Sequence, residues 1–177
     1  MTSRAIGVEV VLGDITNLNI DAVVNAANEL MLGGGGVDGA IHAVAGPELY
    51  EACLAIPEVK PDVRCPTGES RITPAFNLPA KFVIHTVGPI WGGGSLNEDV
   101  KLASCYRSAL ALAREYSVES IAFPAISCGV YGFPPRRAAR IAVSTISECM
   151  SHENAVVSVL LLAFEKDMYG ILREAIG

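Results

Sequence analysis

The chain has 177 residues, of which 51% are hydrophobic and 18% charged, and carries a formal charge of −6. Such a length suits one compact domain, and the apolar content provides for a large core and excludes a disordered chain. The acidic balance, with basic residues scattered rather than gathered into a stripe, argues against a protein whose affinity rests on neutralising phosphates along nucleic acid.

Residues 1–6 show no charged start followed by an apolar run, and no later apolar stretch reaches the roughly 18 to 20 residues of a membrane helix. No membrane partner is expected. Short apolar runs rich in β-branched residues predict strands at 8–12, 22–25, 71–75, 82–86, 120–124 and 156–164. Helical spacing predicts helices over 37–56, 96–116, 134–150 and 168–176. Pro134 and Pro135 stand where the third helix begins, a place where a missing N–H costs nothing, and Asp167 is the expected N-cap of the last. Strands 71–75 and 82–86 follow each other without a helix between them, which predicts one antiparallel pair. The expected fold is therefore α/β: a single domain over 1–177, a three-layer α/β/α sandwich around a mixed, mostly parallel six-stranded sheet. Segment 57–70, with Pro57, Pro61 and Pro66, is the longest irregular connection and the one expected to move.

Five cysteines form no C-x-x-C pair, which fits reduced thiols and a cytoplasmic location better than a disulfide framework or a thiolate zinc site. Monomer is the default.

Two loops carry chemistry. Gly33-Gly34-Gly35-Gly36-Val37-Asp38-Gly39 opens a helix, so free backbone N–H groups and a helix N-terminus converge where no Cβ keeps an anion away. It also satisfies G-x-G-x-x-G, but residues 29–32 intervene after the strand and no acid ends a strand about 20 positions on, so the dinucleotide context fails. Ser127-Cys128-Gly129-Val130-Tyr131-Gly132-Phe133 lies between a strand and a proline-started helix. Two anion cradles beyond the carboxyl ends of strands suggest a diphosphate, held by backbone because neither loop contains Lys or Arg. Around them stand Asp14, Asn25, Asn28 and Asp38. Each has a plain structural alternative: Asp14 as a cap for residues 15–18, Asn25 as a loop stitch, Asp38 as a first-turn acid favoured by the helix dipole. His85 reads as a hydrogen-bonded core histidine, His42 as part of the first helix and His152 as surface. No pair of them has metal-ligand spacing.

The segments Gly13-Asp14-Ile15-Thr16, Val24-Asn25-Ala26-Ala27-Asn28, Gly33 through His42, Cys65-Pro66-Thr67-Gly68-Glu69, Ile84-His85-Thr86-Val87-Gly88-Pro89 and Phe123-Pro124-Ala125-Ile126-Ser127, followed by Gly129-Val130-Tyr131-Gly132, occur in order. Together they resemble a macrodomain of the MacroD type. The resemblance implies ADP-ribose as ligand, with Asp14 and the Ile15 backbone at the adenine, Phe164 stacked on it, and Gly34, Gly35, Gly36, Val37, Ser127, Cys128, Gly129 and Val130 along the diphosphate. Asn25 joins the binding set, Asn28 would orient the distal ribose and Tyr131 would pack near it. Asp38 would position or activate the attacking water, which makes Asn28 and Asp38 the implied catalytic pair. The implied reaction is ester hydrolysis without metal or cofactor. Its substrates would be O-acetyl-ADP-ribose, or mono-ADP-ribose on protein Asp or Glu; the alternative is a binding module without turnover. The chain departs from the pattern with Cys128 where many members carry Thr, and with Phe164-Glu165-Lys166 in place of an acidic pair. It also lacks the Cys and His insertion of zinc-dependent members.

Overall fold

The computed structural model describes residues 7–151 and 156–177, so the expectations for residues 1–6 and for His152 lie outside it. In chain order the elements are β1 (Gly7–Leu12), a 3-10 turn (Ile15–Asn17), β2 (Ala22–Ala26), α1 (Gly36–Ala45), α2 (Pro47–Leu54), β3 (Ser70–Pro74), β4 (Phe82–Thr86), α3 (Glu98–Glu115), β5 (Ser120–Phe123), α4 (Pro135–Met150), β6 (Ser158–Ala163) and α5 (Lys166–Ile176). The strands form one sheet in the order β1-β6-β5-β2-β4-β3. Neighbours run parallel except β3 and β4, the expected antiparallel pair, with Ser70 opposite Thr86.

Period-two alternation divides the core between the two faces. Ala22 and Val24 of β2 join Ile121 and Phe123 of β5 under α3, α4 and α5, while Val23 and Ala122 join Ile41, Leu49 and Cys53 of α1 and α2. Strand β6 reads as an apolar run from Val159 because its residues serve both core clusters, Val159, Leu161 and Ala163 in one and Leu160 and Leu162 in the other. Helix α3 buries Leu102, Cys105, Tyr106, Ala109 and Ala113, a stripe at three- and four-residue spacing that seats it on the sheet.

Two expectations are corrected. The helix expected over 37–56 is two helices: Gly46, at φ 89° and ψ 177°, closes α1 by donating to the His42 carbonyl, and Pro47 starts α2. The apolar spacing runs through the break because both helices bury the same face, through Ile41, Ala45, Leu49 and Cys53. The last helix begins two residues earlier than read, with Glu165 at the N-cap and Asp167 in the first turn. Segment 57–70 is bonded to Glu29 at residues 64, 65 and 67. The Glu29 carboxylate accepts from the Thr67 N–H at 3.1 Å and hydroxyl at 3.0 Å, while its carbonyl accepts from the Arg64 and Cys65 N–H groups.

Because β1, β2, β4, β5 and β6 are parallel, their carboxyl ends share one edge. Helix α1 leaves β2 toward one face and α4 leaves β5 toward the other, so the loops after these adjacent strands diverge and open a crevice.

Candidate functional site

A cleft of about 610 Å³ fills that crevice, within the range of small-molecule sites. One end is bordered by Gly13, Asp14, Ile15, Phe164 and Glu165, with Met168 and Ile171 of α5 as an apolar wall. Phe164 follows the end of β6 with 78% of its surface exposed, an aromatic side chain at the border of the cleft. Asp14 does cap the 3-10 turn, its Oδ1 accepting from the Thr16 N–H at 2.9 Å and hydroxyl at 2.7 Å, yet it also borders the cleft. Both readings of this residue hold. Glu165 and Asp167 line the same end, so carboxylates face the cleft there despite the basic Lys166 between them.

The middle of the cleft is backbone. Gly36, Val37 and Ala40 of α1 face Cys128 and Gly129 across it. Gly35 caps α1 in extended conformation, leaving the first helical N–H groups directed outward. Gly39 is required by close approach, since a Cβ there would lie 2.6 Å from the Gly34 carbonyl oxygen. In the second loop Cys128 donates to the Ala125 carbonyl, Gly132 to that of Gly129 and Phe133 to that of Ser127. These bonds close the loop, and among the described residues no backbone carbonyl takes the N–H groups of Gly129, Val130 or Tyr131. Ser127, at φ 64°, is buried against Gly88, where a Cβ would overlap its hydroxyl. Val130 is fully exposed.

Beneath the glycine loop lies a buried polar cluster. Asn25 and His85 are opposite each other in β2 and β4, and period-two alternation turns both toward α1, as it does Val23 and Val83. Asn25 Nδ2 donates to Asp38 Oδ1 at 2.8 Å and lies 3.1 Å from His85 Nδ1. His42 Nε2 is 3.4 Å from the same Asp38 oxygen, one helical turn on. Burial raises the Asp38 pKa above the usual carboxylate value, with the Asn25 hydrogen bond and the charge of His42 opposing it. Such a carboxylate is a better base than an exposed one. The second oxygen, Oδ2, faces Gly34: a Cβ on Gly34 would lie 3.1 Å from it and 3.4 Å from Asn28 Nδ2. Asn28 shapes this turn, accepting from the Met31 N–H at 3.0 Å and donating to the Gly33 carbonyl at 3.1 Å. Burial, then the charges of Glu29 and Asp38, raise the Tyr131 pKa.

The Macro domain family model matches residues 24–142. This chain belongs to the macrodomain family. It is 53% identical over 170 residues to a macro domain-containing protein of Xanthomonas campestris pv. campestris, covering 96% of this chain and 95% of that one. A Klebsiella pneumoniae protein named O-acetyl-ADP-ribose deacetylase is 48% identical over 173 residues, 98% of each chain. Among solved structures, an Oceanobacillus iheyensis macrodomain with ADP superimposes with a TM-score of 0.89 at 45% identity, over 96% of this chain and 89% of that one.

Within this macrodomain the expected site residues separate into two groups. Asp14, Ile15, Gly36, Val37, Cys128, Gly129 and Phe164 border the cleft directly. Asn25, expected among the binding residues with a loop stitch as its alternative, is fully buried and donates to Asp38. Asp38 is itself 4% exposed and sits behind Gly34 rather than on the cleft wall. Sequence reasoning left out His42 as a neighbour of Asp38, although their i, i+4 spacing on one helix was there to be used. It also missed the loop after β4. Glu98 accepts N–H bonds from Gly92, Gly94 and Leu96, which overcome the cost of burial and hold its pKa near 2. Trp91, bonded through its backbone N–H to the Tyr131 carbonyl and packed at a tilt against Phe133, ties that loop to the second cradle. No local sequence signal marks either contact.

Proposed function

We propose that this macrodomain binds ADP-ribose in the cleft and hydrolyses an ester on its distal ribose. The substrates would be O-acetyl-ADP-ribose, mono-ADP-ribose on protein Asp or Glu, or both. The observation that carries the reading is the linear order of the site: an exposed aromatic and carboxylates at one end, two backbone N–H loops in the middle, and a buried carboxylate of raised pKa behind Gly34 at the other. An adenine, a diphosphate and a ribose ester fit that sequence of environments in turn. The solved relative holding ADP and the Klebsiella protein's name support ligand and reaction respectively.

Adenine stacks on Phe164, its amino group donating to a carboxylate at that end. The diphosphate takes N–H groups from α1 and from residues 129–131, where dipoles act in place of basic side chains. The distal ribose then reaches Asn28 and Tyr131, and Asp38 draws a proton from the water that attacks the ester carbonyl. The ribose hydroxyl leaves with a proton and the acyl group departs as a carboxylic acid. We propose a monomer in the cytoplasm, where the five free cysteines stay reduced. Incubation with O-acetyl-ADP-ribose, following acetate and ADP-ribose, tests the reading. Multiple turnovers are expected, and tight binding with no product would establish a reader module instead.

A further inference from the structure

The buried cluster continues past Asp38 through three strands. Asn25 Nδ2 lies within reach of Asp38 Oδ1 and His85 Nδ1 together, at 2.8 and 3.1 Å. An amide nitrogen only donates, so His85 Nδ1 is the acceptor and the ring proton is on Nε2. That proton meets Thr73 Oγ1 of β3 at 2.9 Å, with Cys53 Sγ more distant at 3.8 Å. His85 has no exposed surface, and burial, then the charge of His42, brings its pKa down to about 3. The ring stays neutral near pH 7, which leaves its tautomer as the variable.

We infer that Thr73 and His85 are positioning residues that decide which end of the Asn25 amide faces Asp38. The opposite tautomer would aim an Nδ1 proton at Asn25 and turn the amide carbonyl toward the ring. The same carbonyl would then face Asp38 Oδ1, repelling an ionised carboxylate and favouring a protonated one. The position of one proton on His85, two side chains away, thereby governs whether Asp38 is available as a base. For turnover this rests on the hydrolase reading; for the structure it stands alone. Other titratable groups acting on Asp38 or its surroundings are His42 on α1, Cys53 on α2 with its thiol pushed up to about 12, Arg64 through Cys53, and Tyr131 from the loop after β5. Replacing Thr73 leaves all of them in place.

Nitrogen-15 NMR of the histidine rings in the whole chain should show His85 protonated at Nε2 and bare at Nδ1; a proton on Nδ1 overturns the inference. In Thr73→Val the Nε2 proton loses its partner in a buried site. The carboxyl carbon-13 titration of Asp38 and the acid limb of kcat should both rise by about one pH unit, a tenfold loss on that limb. Thr73→Ser should restore both, and the Kd for ADP-ribose should be unchanged in either variant, since Thr73 and His85 are buried away from the cleft. An Asp38 titration unmoved in Thr73→Val also overturns it. Should wild type fail to hydrolyse the ester, the hydrolase reading falls, while the two NMR measurements still decide this inference.

Discussion

The cleft and the cluster beneath it are built on opposite principles. The cleft is open and made of backbone, glycine, apolar side chains, one exposed aromatic and, at one end, the acidic residues Asp14, Glu165 and Asp167; among the residues lining it there is no Lys or Arg. The cluster is closed, and its members act by side-chain geometry: Asp38, Asn25, His85 and Thr73 are all at most 4% exposed. Recognition by N–H groups and stacking tolerates solvent, because dipoles fixed by the fold need no rearrangement to meet an anion. A weak carboxylate base needs the reverse, since only burial lifts its pKa toward neutrality. Gly34 covers the cluster closely: an added Cβ would lie 3.1 Å from Asp38 Oδ2 and 3.4 Å from Asn28 Nδ2.

If the division holds, damage to each region has its own signature. The largest effect is expected at Gly129→Glu: no atom lies within 4 Å of a Cβ there, so the fold should survive while the carboxylate occupies the diphosphate position. Calorimetry should find ADP-ribose binding lost, and retained micromolar affinity would remove this loop from the site.

Asp38→Asn probes the other side. Single-turnover rates should fall roughly 10²-fold with Kd little changed. Its pKa in the fold is raised, so ionised Asp38 lowers stability once pH rises above its unfolded value near 3.8. The variant should therefore melt no lower than wild type at pH 7; a large drop in Tm would show the carboxylate to be structural. Asn28→Ala should blur the comparison, weakening both binding and rate by about tenfold through loss of the bonds that shape the turn. A rate effect without a binding effect would move Asn28 wholly into the catalytic group.

Smaller changes are expected farther out. Glu98 has a depressed pKa in the fold, so its contribution to stability is complete above about pH 4.5 and disappears as pH falls toward about 2. The Tm difference between wild type and Glu98→Gln should close over that window, and a constant difference would mean the charge is not what organises the loop. The smallest effect concerns salt. With carboxylates and no cations lining the cleft, the Kd for ADP-ribose should shift by no more than about twofold as ionic strength rises, against a fall of about 10³ or more for a binder with six phosphate contacts.

Much of this was open to reading along the chain. Strands and helices announce themselves by local periodicity, and both cradles by runs of glycine and proline whose conformational effects are local. The break at Gly46-Pro47 shows the limit: apolar spacing records which face is buried, and two helices on one face keep a single phase. The sequence alone determined the α/β class, the antiparallel pair, the absence of basic residues from both loops and the family. What only the tertiary structure decided was the sorting of polar residues into those that border the cleft and those that lie under it. Asn25, His85 and Thr73 are far apart in sequence, and they meet through strand register and side-chain parity across β2, β4 and β3. Burial and hydrogen-bond direction belong to that assembly and to no segment of it, which is why Asn25 reads along the chain as a ligand contact or a loop stitch and only the fold shows it as the partner of Asp38.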